Sequence, residues 1–160
     1  MTTTVNSHST TSTTPSSPHL LTRLSIEDII ETTGTNNLKE IEEIEILFLQ
    51  CHEIDSLQYC INLKRFSMIN NGLLSISNLT YVQNTLISLC LCDQNINKME
   101  NLELPQLIEL FLHRNQIERI QGLNQCKNLK KLWLNQNHIN AITGLESLNN
   151  LTELDRKSVV

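Results

Sequence analysis

Apolar positions along this chain follow one spacing that keeps returning. From Leu107 they fall at Leu107, Leu110, Leu112, Ile117, Ile120, Leu123 and Cys126, with Asn115 between the third and fourth. The series recurs 22 residues later as Leu129, Leu132, Leu134, Asn137, Ile139, Ile142, Leu145 and Leu148. Toward the N-terminus it reads Leu86, Leu89, Leu91, Gln94, Ile96, Met99, Leu102 and Pro105. Before that come Leu63, Phe66, Met68, Asn71, Leu73, Ile76, Leu79 and Val82, and first Ile41, Ile44, Ile46, Leu49, Cys51, Ile54, Leu57 and Cys60. The units are 41–62, 63–85, 86–106, 107–128 and 129–150, and a sixth begins at Leu151 and Leu154. Leaving the Asn position aside, each unit has seven expected core positions, and Pro105 is the one that is not aliphatic, aromatic or sulfur-bearing. A chain that is 39% hydrophobic does not reach that by accident.

The spacing inside a unit predicts its elements. The Leu-x-Leu triplet alternates, so its leucines point inward and the intervening residues outward from a strand. The later apolar residues come every third position, which suits a tight 3-10 return. Upstream, Ser25 can cap a short helix with Asp28 at its third position, and Ile26, Ile29 and Ile30 share one face. Thr33-Gly34-Thr35 ends that helix. So short a helix is marginal in isolation and should pack on the first repeat.

The unit matches the pattern L-x-x-L-x-L-x-x-N-x-L, which resembles the leucine-rich repeat. The expected fold is an α/β leucine-rich repeat solenoid. It should have a curved parallel sheet on the concave face, short 3-10 or irregular convex segments, an N-terminal helical cap and no C-terminal cap. The runs Asn115-Gln116-Ile117-Glu118-Arg119-Ile120-Gln121-Gly122-Leu123 and Asn137-His138-Ile139-Asn140-Ala141-Ile142-Thr143-Gly144-Leu145 resemble the short, 22-residue class. That class includes regulatory subunit 7 of protein phosphatase 1, an axonemal dynein light chain and a spliceosomal ribonucleoprotein subunit. The segment Ile44–Ile54, in which Leu49 replaces the Asn, resembles the irregular first repeat of the leucine-rich repeat-containing protein 9 family. Leu132-Trp133-Leu134-Asn135-Gln136-Asn137 is similar to a later repeat of that family. The resemblance implies a non-catalytic scaffold for a protein partner, associated with the cilium or cytoskeleton. Its alternatives are a regulatory subunit of a protein phosphatase or other enzyme, and a ribonucleoprotein adaptor.

The rest of the chain divides around the repeats. Residues 1–19 are a Ser/Thr-rich tail, with twelve Ser or Thr, and cannot bury enough apolar surface to order themselves. Thr14-Pro15 and Ser17-Pro18 suit a proline-directed kinase. Residues 20–37 form the helical cap, and 41–154 hold five full repeats and one partial repeat. Residues 155–160, Asp-Arg-Lys-Ser-Val-Val, break the pattern just as the sixth unit should continue. The codons GAT CGG AAG AGC GTC GTG, the start of a short-read sequencing adapter, encode this hexapeptide, so it is expected to be an artefact on a fragment.

Composition narrows the function classes. A net charge of −5 and pI near 5.5 oppose direct binding of nucleic acid. No stretch approaches the ~20 apolar residues of a membrane helix. Five cysteines cannot close into a complete disulfide set. No apolar run precedes Leu20 and no Lys or Arg precedes Arg23, so a cytoplasmic address is expected. Asn78-Leu79-Thr80 and Asn150-Leu151-Thr152 match the glycosylation pattern but carry no meaning without secretion. No phosphate loop or triad grouping occurs, and the histidines fall in different columns. No enzyme activity, cofactor, metal site or small-molecule substrate is expected.

Function in a solenoid lies on the outward residues of its concave strands. One outward column is Glu45, Ser67, Cys90, Phe111 and Trp133; another is Glu43, Arg65, Ser88, Glu109 and Lys131. A third is Leu47, Ile69, Cys92, His113 and Asn135, followed by Phe48, Asn70, Asp93, Arg114 and Gln136. The candidate partner-binding residues are Phe111, Trp133, Glu109, His113, Arg114, Lys131, Leu47 and Ile69, for a protein partner the sequence does not identify. Neighbouring exposed aromatics are typical hot spots. The Asn71, Asn115 and Asn137 column is structural. Glu40, Glu42, Glu43 and Glu45 are expected to form a solvated edge that discourages strand pairing.

Overall fold

The computed structural model describes residues 22–157. The Ser/Thr-rich tail at 1–19 and the last three residues, 158–160, lie outside the described residues. Six parallel strands stand in sequence order in one sheet. They are β1 (Glu43–Leu47), β2 (Arg65–Ile69), β3 (Ser88–Cys92), β4 (Glu109–Phe111), β5 (Lys131–Trp133) and β6 (Glu153–Asp155). The first inward residue of each Leu-x-Leu triplet meets its equivalent in register: Ile44 with Phe66, Phe66 with Leu89, Leu89 with Leu110, Leu110 with Leu132, Leu132 with Leu154. This is a leucine-rich repeat solenoid, with strands on the concave face and irregular convex returns. Two returns contain 3-10 turns, at Leu57–Tyr59 and Leu79–Val82.

The core is one continuous stack of inward residues running from Leu24 and Ile29 to Leu148. In the third unit Leu104, not Pro105, fills the last core position, and Pro105 is only half-buried. The rigid ring of Pro105 follows one residue too late, and the neighbouring leucine takes the space. In the last unit the packing loosens. Ile139, Leu145, Leu151 and Leu154 are partly buried, and Ile142 is 49% exposed.

The helix α1 (Ile26–Thr33) begins at the predicted cap. The Ser25 side chain accepts from the Asp28 amide, and the Asp28 carboxylate accepts from the Ser25 amide, forming a complete capping box. Gly34 closes the helix in the left-handed region and donates to the Ile30 carbonyl. Ile29 is fully buried against the first repeat, as is Leu24 just before the helix. A bridge between Arg23 and Glu53 fastens the same segment to the convex return of the first unit.

Each buried amide side chain crosses to the preceding unit. Asn115 Nδ2 donates to the carbonyls of Leu91 and Leu112 at 2.8 and 3.0 Å, and its Oδ1 accepts from the Ile96 amide at 3.1 Å. Asn137 repeats this on Leu112, Leu134 and Ile117. Asn71 bonds Ile46, Ile69 and the Leu49 amide. Gln94 does the same work with a longer arm, donating to Met68 and accepting from Asn71 and Leu73. These bonds satisfy backbone groups that would otherwise be buried without partners.

Two further columns repeat in backbone rather than side chain. Phe48, Asn70, Asp93, Arg114 and Gln136 all hold φ between 54° and 57°. Each sits one residue before the amide position and turns the chain out of the strand. On the convex side Ser56, Asn78, Asn101, Gly122 and Gly144 also have positive φ, each just before a convex Leu. At Gly144 an added Cβ would lie 2.4 Å from the Ile120 carbonyl oxygen, so the two turns touch there.

Candidate protein-interaction face

The strands bring the outward columns side by side. Glu45, Ser67, Cys90, Phe111 and Trp133 are successive register partners across β1 to β5. Phe111 and Trp133 meet edge to face, with ring centroids 5.0 Å apart and planes at 74°. That geometry sets the positive edge of one ring on the negative face of the other. Both are half-buried. The His113 ring lies 6.3 Å from the Trp133 ring. The indole N–H of Trp133 donates to Glu153 Oε1 at 2.7 Å.

Charged groups frame this pair. Lys131 Nζ lies 2.9 Å from Glu109 Oε1, beside the aromatics. The hydrogen bond from Lys131 holds the Glu109 carboxyl below its ordinary range, and Glu109 in turn raises the Lys131 ammonium. On the other side Arg114 Nε lies 2.7 Å from Asp93 Oδ1. Such surface pairs add little stability, but they fix where charge stands around the rings. Burial pushes the His113 imidazole below its ordinary value, opposed by Asp93 and assisted by Arg114. Asn135, in the same column, has an Oδ1 with no hydrogen-bond partner among the described residues.

Six of the eight candidate residues therefore gather on β4, β5 and the turns that leave them: Phe111, Trp133, Glu109, Lys131, His113 and Arg114. Leu47 and Ile69 do not join them. They are register partners on β1 and β2, roughly 19 Å and roughly 14 Å from β5 at the ~4.8 Å strand spacing. Leu47 is 48% exposed and continues into Phe48 and Leu49, which are 67% and 43% exposed. The N-terminal end of the sheet thus carries a separate apolar knuckle. Its acidic border is in place, with Glu40, Glu42, Glu43 and Glu45 all exposed. Glu42 pairs with Lys64 at 2.6 Å and Glu43 with Arg65 at 3.1 Å. Asn71, Asn115 and Asn137 are buried among backbone groups and offer nothing to a partner.

Cys92 departs from its expected place. It sits in an outward column, yet it is 1% exposed. His113 and the Phe111 backbone cover it: Cys92 Sγ lies 3.2 Å from His113 Nδ1 and 3.4 Å from the Phe111 carbonyl oxygen. Glu153, and Asp93 of the outward column that follows, border the aromatic pair through Trp133 and Arg114 although neither is among the candidate residues. The signal for Glu153 was present, since the column Glu109, Lys131, Glu153 alternates in charge at 22-residue steps. Among the described residues no group of three or more His, Cys, Asp or Glu is placed to hold a metal ion. No helix among them is long and apolar enough to cross a membrane.

Two solved structures align with the chain, and the first shares its architecture. An internalin (inlF) from Listeria monocytogenes str. 4b F2365 aligns with a TM-score of 0.64 at 25% identity, over 76% of this chain and 36% of its own. An internalin C2 (inlC2) from the same organism aligns with a TM-score of 0.49 at 22% identity, over 83% of this chain and 63% of its own. The chain thus spans about a third of the first protein's length and under two thirds of the second's. No protein-family model matches the chain, and no curated protein matches it. The fold is of a type that binds proteins and is generally not enzymatic.

Proposed function

We propose that this chain is a non-catalytic scaffold that holds a partner protein on its concave face, centred on Phe111 and Trp133. The observation that carries this reading is the edge-to-face aromatic pair, half-buried on the strand face and framed by two ion pairs. Aromatic side chains already held in one geometry lose little further freedom when they are covered. A polar frame around an apolar centre is the usual anatomy of an interface. Glu109, Lys131, His113 and Arg114 supply that frame. Leu47 and Ile69 extend contact to a ligand long enough to cross the sheet.

The finer reading rests on the repeat class that the sequence resembles: a cytoplasmic scaffold associated with the cilium or cytoskeleton. A regulatory subunit that grips an enzyme such as a protein phosphatase would use the same surface, and Phe111, Trp133 and Glu109 suit that role. Affinity capture with quantitative mass spectrometry tests the site. The wild-type chain and a Phe111→Ala, Trp133→Ala double variant are compared, with circular dichroism showing that both fold. Partners lost by the double variant support the face. An unchanged partner set discards it. Recovery of axonemal or cytoskeletal proteins, or of a phosphatase, separates the two readings.

A further inference from the structure

Two thiols meet in the middle of the strand face, between the N-terminal knuckle and the aromatic pair. Cys90 Sγ and Cys92 Sγ lie 3.2 Å apart on β3. Cys90 is half-buried and Cys92 is covered. Behind Cys92, at 3.2 Å, stands His113 Nδ1. The other three thiols differ. Cys51, Cys60 and Cys126 are buried in the core, and burial pushes all three up, Cys51 to about 11.

The cluster differentiates its two sulfurs. The Cys92 S–H donates to Cys90, which brings the Cys90 thiol down to about 7 against the opposing effect of burial; the Ser67 hydroxyl adds to the lowering. Cys92 is raised, because losing its proton would break that bond and leave a buried charge beside Cys90. An accessible, readily ionised thiol next to a protonated one is the arrangement of an attacking and a resolving cysteine. Alternate residues of a strand have Cα atoms about 6.6 Å apart at ~3.3 Å rise per residue. That lies inside the ~4.4–6.8 Å range that a disulfide spans.

We propose that Cys90 and Cys92 form a thiol–disulfide exchange site, in which Cys90 accepts a low-molecular-weight disulfide and Cys92 resolves the adduct. The Cys90 thiolate attacks one sulfur of the small disulfide. The S–S bond breaks, one thiolate leaves and takes a proton from water, and a mixed disulfide remains on Cys90. Cys92 then gives its proton to His113 Nδ1, and its thiolate attacks Cys90 Sγ. The second small thiol leaves with the proton from His113. Two protein thiols are oxidised to one disulfide, and one small disulfide is reduced to two thiols. The product lies beside Phe111, the register partner of Cys90.

The test uses the purified full chain, oxidised glutathione at neutral pH, intact-mass measurement and peptide mapping. The wild type is expected to lose two hydrogens without retaining glutathione, and dithiothreitol should restore it. Cys92→Ser is expected to trap one glutathione on Cys90. Cys90→Ser is expected to react at least roughly tenfold more slowly, since the remaining thiols are covered and protonated. Thermal melting checks that each variant folds, and Cys92→Ala replaces Cys92→Ser where serine disturbs the buried position. Oxidation of Cys90→Ser at the wild-type rate overturns the proposal. So does a wild type that retains glutathione on Cys90, or one that stays fully reduced.

Discussion

Trp133 donates its indole N–H to the carboxylate of Glu153 at 2.7 Å, across the boundary between the fifth and sixth strands. The bond tethers the indole to the sixth strand. Phe111 then packs edge-on against a ring that is already held. The aromatic centre of the concave face is therefore positioned from both neighbouring strands, by packing on one side and by a charge-assisted hydrogen bond on the other.

Glu153→Ala should release this ring. Trp133 is the only tryptophan in the chain, so its fluorescence reports the change without interference. The emission maximum and anisotropy should shift, while stability falls by about 1 kcal/mol or less, because the bond is solvent-exposed. Emission identical to the wild type would show that Glu153 does not hold the indole.

Asn115→Ala should be among the most damaging single changes. It leaves the Leu91 carbonyl and the Ile96 amide without their side-chain partner inside a dry stack. Each orphaned group costs roughly 1–3 kcal/mol, so a loss on the order of 2–5 kcal/mol is expected in urea unfolding. Asn115→Asp should recover little, because a carboxylate accepts but cannot donate to Leu91. A loss under about 1 kcal/mol would contradict the ladder.

Gly144→Ala should cost more than Gly34→Ala. Both glycines have positive φ, 77° and 70°, so both substitutions carry the left-handed penalty of roughly 1–2 kcal/mol. Only at Gly144 does the new Cβ strike backbone, the Ile120 carbonyl at 2.4 Å; around Gly34 the space is open. Thermal unfolding of the two variants gives the order directly, and a reversed order would refute the contact.

Phe48→Asn should stabilise the fold. Phe48 is 67% exposed and held at φ 57°, a region that asparagine enters more readily than phenylalanine. Asn70 occupies the equivalent turn one repeat later at φ 54°. A gain of a few tenths to about 1 kcal/mol is expected. Weaker partner capture by the same variant would mark Phe48 as a residue kept for binding at the expense of stability.

Stability should decline on mild acidification partly through His113. Burial lowers its folded pKa beneath the unfolded value, with Asp93 and Asp155 opposing and Arg114 assisting. Its contribution is intact above about 6.5 and is lost as pH falls through the lower folded value. Glu109 acts in the same sense at lower pH, since its pairing with Lys131 depresses its carboxyl. His113→Asn should flatten the melting-temperature profile just below about pH 6.5. An unchanged slope would place the loss elsewhere.

The repeat, its register and most of its core were legible in the chain because a solenoid's contacts recur at a fixed sequence interval. A residue at one position faces its equivalent about 22 residues on, so inward, outward and amide columns can be read by counting. The capping box at Ser25 and Asp28 was legible for a similar reason, since its partners lie within one helical turn.

Counting failed where neighbouring columns compete for space or where an end departs from the period. Leu104 displaced Pro105 from the core because the return before it shifts by one residue, a choice made by packing volume. Cys92 belongs to an outward column, yet His113 from the next turn covers it. The left-handed turns at Phe48, Asp93 and Arg114 carry no glycine to announce them. Whether an outward side chain is free, paired or shielded depends on side-chain length and direction across two strands. The sequence by itself determined which residues share a face. The tertiary structure alone decided that Trp133 would lean on Glu153 and that the two thiols of β3 would touch.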